Sequence, residues 1–263
     1  MSRAPCPSRP DPARRDRPRR GDGAADDRVA GGPAALAGPG PVDRGARGAD
    51  DGEVPVIPSD EDLTERGQAP SRTGRILLIA CGALAREILD LKAANGWNHL
   101  DLTCLPANLH LWPDRITEAV EATVLKHRAD YDGIFVVYAD CGTGGRLKER
   151  CDALGVEMVA GPHCYSFFEG NAAFAAREEA TAFYLTDFLC RQFDAFVWRP
   201  MGFDRHPELI PMMFGNYEKL VYQAQTEDPA LDAKARDCAA RLGLAYERRF
   251  TGYGDLAPAL ARL

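Results

Sequence analysis

All eleven phenylalanines, eight tyrosines and three tryptophans of this 263-residue chain fall after residue 74. Residues 1–74 are built instead from Arg, Asp, Gly, Ala and Pro, as in "RPDPARRDRPRRGDGAADDR". Such a segment cannot bury enough apolar surface to offset the backbone entropy lost on folding. The sequence therefore predicts a disordered tail over residues 1–74 and one folded domain over residues 75–263. Acids alternate with the arginines of the tail from Asp11 onward, and no aromatic is present to stack on a base, so a solvated tail is expected rather than a nucleic-acid arm.

The formal net charge of −7 argues in the same direction, because phosphate contacts need a basic face. No apolar run approaches the roughly 18 to 20 residues that span a bilayer, and the N-terminus lacks the apolar stretch of a secretory signal. The expectation is a soluble, cytoplasmic protein that binds neither nucleic acid nor membrane. Its eight cysteines are then reduced thiols, open to metal binding or catalysis, rather than a disulfide framework.

From residue 75 apolar runs alternate with helical patterns. "RILLIACG" reads as a strand and "ALAREILDLKAANG" as a helix, with Leu84, Ile88 and Leu91 at helical spacing and Gly96 at the stop. "HLDLTCL" is a second strand. A helix from Pro113 follows, with Ile116, Val120, Val124 and His127 on one face. "GIFVVYA" is a third strand, "GGRLKERCDALG" a helix closed by Gly155, and "VEMVAG" a fourth strand. A long helix is predicted from about Ala172 to Phe193. "AFVW", "KLVYQAQ" and "AYERRF" are strand candidates, and a helix between the last two carries Asp228 as cap, Pro229 in its first turn and Gly243 at its stop. This is the pattern of an α/β fold of three layers around a mainly parallel sheet, Rossmann-like or flavodoxin-like.

In an open parallel sheet, ligands bind beyond the carboxyl ends of the strands. Cys81 ends the first strand, Cys141 follows the third and Cys164 follows the fourth, so all three share that edge. Cys-Gly pairs in "ACGAL" and "DCGTGG" allow tight turns that place sulfur near a helix N-terminus, where a thiol is drawn toward thiolate. Cys151, Cys190 and Cys238 lie on helices at core spacing and read as small apolar filler. Cys81, Cys141 and Cys164 are therefore the candidate metal ligands. His110, His163 or Cys104 would complete or support the set. Three thiolates with an exchangeable fourth position suit zinc, or an iron–sulfur cluster with one open iron. No C-x-x-C or H-E-x-x-H is present, so any site must be assembled from distant loops.

The turn "DCGTGGR" offers Gly142, Gly144 and Gly145 as backbone donors to an anionic cofactor or ligand, with Arg146 nearby. Neither a dinucleotide-binding nor a phosphate-loop motif occurs, nor a nucleophile elbow. Gln225, Thr226, Thr251 and Tyr253 fall at later strand ends as possible walls. Asp204, Arg205 and His206 form a charged group in a connection able to cover a pocket, or to cap a surface helix.

The stretches "ACGAL", "CLPANLH", "YADCGTGG", "GPHCYSFFEG", "FYLTDFL" and "GNYEKLVYQAQTEDP", taken together, resemble a family of bacterial and archaeal proteins known as domain of unknown function 1638, over about residues 75–256. The resemblance implies a compact α/β protein whose pattern includes Cys81, Cys141, His163, Cys164 and Tyr165. An acid often follows the tyrosine in that pattern, where this chain has Ser166, with Glu169 later in the loop. Some relatives are associated with corrinoid methyl-transfer systems, which implies a protein partner of that kind. The expected function is that of a metal- or iron–sulfur-dependent enzyme or accessory protein acting on a small-molecule ligand, with small-group transfer as the first reaction class. A binding or sensing module without chemistry, and a thiol redox protein, are the alternatives.

Overall fold

The computed structural model describes residues 57–263. The expectation of disorder for residues 1–56 lies outside the described residues. For residues 57–74 the structure corrects it. Helix α1 (Asp60–Glu65) is capped by Ser59, whose Oγ accepts from the Asp62 N–H. Leu63 on that helix is fully buried, and the Asp60 carboxylate pairs with Arg86 and Arg191, both at 2.7 Å. Gln68 and Cys104 exchange two backbone hydrogen bonds of 2.8 Å. Composition misses this segment because buried Leu63, the paired Asp60, the Gln68 bridge and the buried Asp101 carboxylate, which accepts from Ser71 and the Arg72 N–H, hold it rather than an aromatic core.

Two parallel sheets follow. In chain order, the first is built by β1 (Ile76–Cys81), α2 (Ala85–Asn95), β2 (Leu100–Leu105), α3 (Asp114–His127), β3 (Gly133–Val137), α4 (Arg146–Leu154) and the two-residue β4 (Glu157–Met158). Its strand order is β2-β1-β3-β4, with every pair parallel. The middle strands carry almost unbroken apolar runs, as a parallel sheet covered on both faces requires. Gly96 and Gly155 end α2 and α4 in the left-handed conformation that glycine tolerates, at the positions their sequence predicts.

Short helices α5 (Ser166–Glu169) and α6 (Asn171–Arg177) lead to the second sheet. It comprises β5 (Ala182–Leu185), β6 (Lys219–Ala224) and β7 (Ala245–Phe250), all parallel in the order β5-β6-β7. Helices α7 (Asp187–Arg191) and α8 (Ile210–Phe214) lie between β5 and β6, α9 (Pro229–Leu242) joins β6 to β7, and α10 (Leu256–Ala261) closes the chain. Asp228 caps α9 through the N–H groups of Ala230 and Leu231. No helix among the described residues is long and apolar enough to cross a membrane.

The long helix expected over residues 172–193 does not form. Glu178 turns left-handed at φ 52°, "AFYL" pairs in parallel with β6, and Thr186 starts α7 by accepting from the Leu189 N–H. Alanine-rich helix propensity is overridden here by tertiary pairing of Phe183, Tyr184 and Leu185. Nor is "AFVW" a strand; residues Asp194–Trp198 form one wide helical turn continuing from α7.

Candidate metal centre

The strand order β2-β1-β3-β4 sends the chain to one side after β1 and to the other after β3. The gap between the carboxyl ends of those two strands is where an open α/β sheet leaves a crevice. Cys81 ends β1, and its buried sulfur accepts from the Ala83 N–H at 3.4 Å. Gly82 beside it serves close approach: a Cβ there would fall 2.3 Å from the Leu63 carbonyl oxygen, so α1 is packed directly on this turn. His110 lies in the 3₁₀ turn Ala107–Leu111 after β2. Its Nδ1 is 3.5 Å from Cys81 Sγ and 3.2 Å from the Ala107 carbonyl.

Two backbone hydrogen bonds join the loop after β3 to the loop after β4, Asp140 N–H to Gly161 C=O at 2.9 Å and Cys141 N–H to Pro162 C=O at 3.0 Å. They bring Cys141 Sγ and Cys164 Sγ to 3.1 Å. Cys141 takes φ 47°, a conformation that disfavours a residue with a Cβ and that persists only where its surroundings over-determine it. Ser166 places its Oγ 2.7 Å from the His163 carbonyl and 2.6 Å from Asn171 Oδ1, bracing the same loop.

Donor atoms of His110, Cys141 and Cys164 all lie within 4.8 Å of one another, a group able to hold a metal ion. Of the three cysteines predicted from the shared edge, two therefore meet. The third, Cys81, touches the group through His110. His163 lies outside it, stacked on Tyr165 with ring centroids 4.8 Å apart. Cys104 is buried and packed behind, and burial pushes its thiol well above the ordinary range.

The Cys141 thiol is held far below its ordinary pKa, first by the hydrogen bond from Cys164 and further by His110, against the opposing effect of burial. Cys164, the donor of that bond, is raised for the same reason and by its burial. Burial works against a charged His110, but the sulfurs of Cys81 and Cys141 outweigh it and raise its pKa. Both shifts favour negative charge on Cys141 and a proton on the His110 ring.

The glycine-rich turn behaves differently from expectation. The N–H groups of Gly144 and Gly145 donate to the Asp140 carboxylate at 3.2 and 2.6 Å, and Thr143 Oγ1 donates to it at 2.8 Å. An internal anion thus occupies the place predicted for a cofactor anion, and Gly144 and Gly145 are corrected to structural residues. Gly142 borders the cavity described below. Arg146 is paired with Asp114.

Sequence alone also passed over Tyr138, which directly follows β3. It is wholly buried, its hydroxyl has no hydrogen-bond partner among the described residues, and its ring stacks near His110 at 6.1 Å between centroids. Burial and the sulfurs of Cys81, Cys164, Cys141 and Cys104 all raise its pKa. An orphaned hydroxyl in a native interior calls for a partner. No sequence signal could show this, since "FVVYA" reads as uniform strand core.

Beside the cluster lies a cavity of about 460 Å³, lined by the turns that follow β1 to β4, by β5 and by the segments between β5 and β6. His110, Cys141, Cys164, His163, Tyr165, Tyr184, Thr186, Phe183, Phe196 and Tyr217 are among the residues that line it. The remaining expected wall residues are elsewhere. Gln225 and Thr226 bind the Asp187 carboxylate, Thr251 bonds the Ala224 carbonyl, and Tyr253 donates to Asp90. Asp204, Arg205 and His206 are exposed and do not border the cavity, and Glu169 is committed to Arg177, Gln223 and Arg249.

A buried carboxyl outside the site supplies a pH test of the core that carries it. Glu87 on α2 is 4 % exposed, and its pKa is pushed up to about 7 by burial, helped by Asp187 and Asp90 and opposed by Arg191. A carboxyl with a raised folded pKa binds its proton more tightly folded than unfolded. Its stabilising contribution is full below the unfolded value of 4.5 and is lost as pH rises through about 7. Urea unfolding at pH 5 and pH 8 should show Glu87→Gln flattening the decline, with a gain over the parent at pH 8 on the order of 2 to 3 kcal/mol. Parallel profiles for the two proteins would contradict this.

The sequence matches no curated protein and no solved structure. The resemblance drawn above began at residue 75, whereas the family match runs from residue 104 and leaves Cys81 outside it. The family described as protein of unknown function DUF1638 matches residues 104–260, more than half of the chain and the span that supplies His110, Cys141 and Cys164, and the chain belongs to that family.

Proposed function

We propose that the protein is a zinc-dependent enzyme or accessory protein, with Cys141, Cys164 and His110 as ligands and a fourth position directed to the cavity. The single observation that carries this reading is the convergence of the three donor atoms within 4.8 Å from three separate loops. Two thiolates, one imidazole and an exchangeable position form a known catalytic zinc set. Two sulfurs in tetrahedral coordination sit about 3.8 Å apart at ordinary zinc–sulfur bond lengths, so the 3.1 Å pair needs only a small opening. A proton on His110 Nδ1 serves the Ala107 carbonyl and the Cys81 sulfur, and leaves the lone pair on Nε2 for the metal.

This donor set favours one zinc ion over an iron–sulfur cluster, which takes its ligands chiefly from cysteine thiolates. When bound, zinc supplies a Lewis acid that activates a thiol or water at its open position. The chain's own residues then do the rest: Cys81 orients His110, Tyr138 stands ready to donate to a group near the sulfurs, and the aromatic wall excludes water. Small-group transfer is the reaction class this arrangement suits. All seven cysteines among the described residues are free, which fits the reducing cytoplasm. X-ray absorption of the zinc-loaded protein is expected to give two sulfurs at about 2.3 Å and an imidazole nitrogen at about 2.0 Å; an all-oxygen shell would refute the assignment.

A thiol redox reading has one observation in its favour, the same 3.1 Å sulfur pair. Oxidation would remove both thiolates from the metal, so the two readings predict opposite metal contents.

A further inference from the structure

The walls of the cavity specify a class of ligand. Among the described residues that line it there is no Asp, Glu, Lys or Arg. The polar groups on those walls are also partly committed: Tyr184 donates to Glu179 at 2.8 Å, and Thr186 Oγ1 accepts from the Leu189 N–H at 3.2 Å. His163, Tyr165 and Tyr184 stack in sequence, with centroids 4.8 and 5.5 Å apart and interplanar angles of 8° and 15°, and Phe174 closes the ladder edge-on against Tyr165. The cavity volume is within the range of small-molecule sites. Leu111 and Tyr217 border it and are each 37 % exposed, which puts its mouth between the turn after β2 and the segment before β6.

A charged group drawn into such walls would lose its water without gaining a counter-charge, a heavy cost. The centre does not supply one, because a divalent ion with two thiolates and a neutral imidazole carries no net charge. From these walls and this balance, and resting on the metal reading above, we infer that the ligand is a small uncharged molecule with a flat or aliphatic apolar body and a single donor atom at one end. The body lies along the His163–Tyr165–Tyr184 ladder, and the donor atom faces Cys141 and Cys164. Electrostatics and shape act together, since a flat apolar body packs along the ring edges of the ladder while an ionised body is rejected.

The full chain loaded with cobalt(II) tests this with three thiols that share the donor atom and differ in body: benzyl mercaptan, cysteamine and 3-mercaptopropionate. On binding, the thiol S–H bond breaks, its proton passes to the buffer, and the sulfur takes the open position as thiolate, so that the centre gains the same single negative charge with each probe, the three complexes differ only in the body, and the sulfur-to-cobalt charge-transfer band changes. Benzyl mercaptan is expected to saturate that change at a concentration at least about tenfold lower than either charged thiol. Tyr217→Lys, at the exposed mouth, is expected to narrow the gap for 3-mercaptopropionate and not for cysteamine. A tetrahedral cobalt spectrum with equal affinity for the three thiols, or with preference for a charged one, overturns the ligand class while the metal centre stands. Absence of a tetrahedral cobalt spectrum overturns the metal centre and this inference with it.

Discussion

Cys141→Ser and Cys164→Ser proteins are each expected to lose zinc, falling from near one equivalent per chain to less than about a tenth after dialysis, a drop in affinity of at least about a hundredfold. Each change removes one of only three protein donors and exchanges a soft thiolate for a hydroxyl that stays protonated. Both residues are 7 % exposed and sit on loops rather than within strands, so the fold should survive, with unchanged far-ultraviolet circular dichroism as the control. Cys81→Ser provides the contrast. Its sulfur bonds His110 and the Ala83 N–H, and a serine hydroxyl can still accept there. The expected loss is about tenfold in affinity. Equal effects at positions 81, 141 and 164 would show that the three act alike and that the geometry has been misread.

The second large effect concerns stability. Asp187→Ala is expected to cost about 4 kcal/mol in urea unfolding. The Asp187 carboxylate is 1 % exposed and accepts four hydrogen bonds, from Tyr222 Oη at 2.7 Å, the Gln225 N–H at 3.1 Å, the Thr226 N–H at 3.1 Å and Thr226 Oγ1 at 2.6 Å. Thr226 is exposed and can turn to water, whereas Tyr222 and Gln225 are buried and would be left without an acceptor. Those two orphaned donors carry most of the cost. Asp187→Asn should recover part of it, because the amide oxygen still accepts. The carboxylate also fixes the bend after β5 that presents Thr186 to the cavity, so ligand affinity should fall together with stability. A cost below about 1 kcal/mol would mean that the network relaxes onto water.

The sequence was most legible where one residue type has one physical use. Asp228-Pro229 and Gly243 framed α9, Gly96 and Gly155 ended their helices, and the alternation of strand and helix declared parallel α/β structure. The shared edge of Cys81, Cys141 and Cys164 followed from the same logic. What remained hidden depended on packing. The stretch "NAAFAAREEATAFYLTDFL" carries strong helix formers, yet parallel pairing with β6 draws Phe183, Tyr184 and Leu185 into a strand. The clue was local: aromatic residues followed by Thr186-Asp187, a cap signal inside a supposed helix. Division of the strands between two sheets has no marker in hydrophobic pattern.

Within the site, position along the chain placed Cys81 equally with the other two cysteines. Their separation came from hydrogen bonds between loops, Asp140 to Gly161 and Cys141 to Pro162, which bring the second and third cysteines together and leave the first against His110. Asp140 filling the glycine turn, and the unpartnered Tyr138 hydroxyl, are facts of geometry that residue types do not encode.

The most direct test is elemental analysis of the full chain purified without oxygen, with free thiols counted on the same sample. Close to one zinc per chain is expected, with Cys141 and Cys164 protected from alkylation until a chelator is added. A properly folded protein that contains no metal and binds none when zinc is offered, with both thiols alkylated freely or joined to each other, would contradict it.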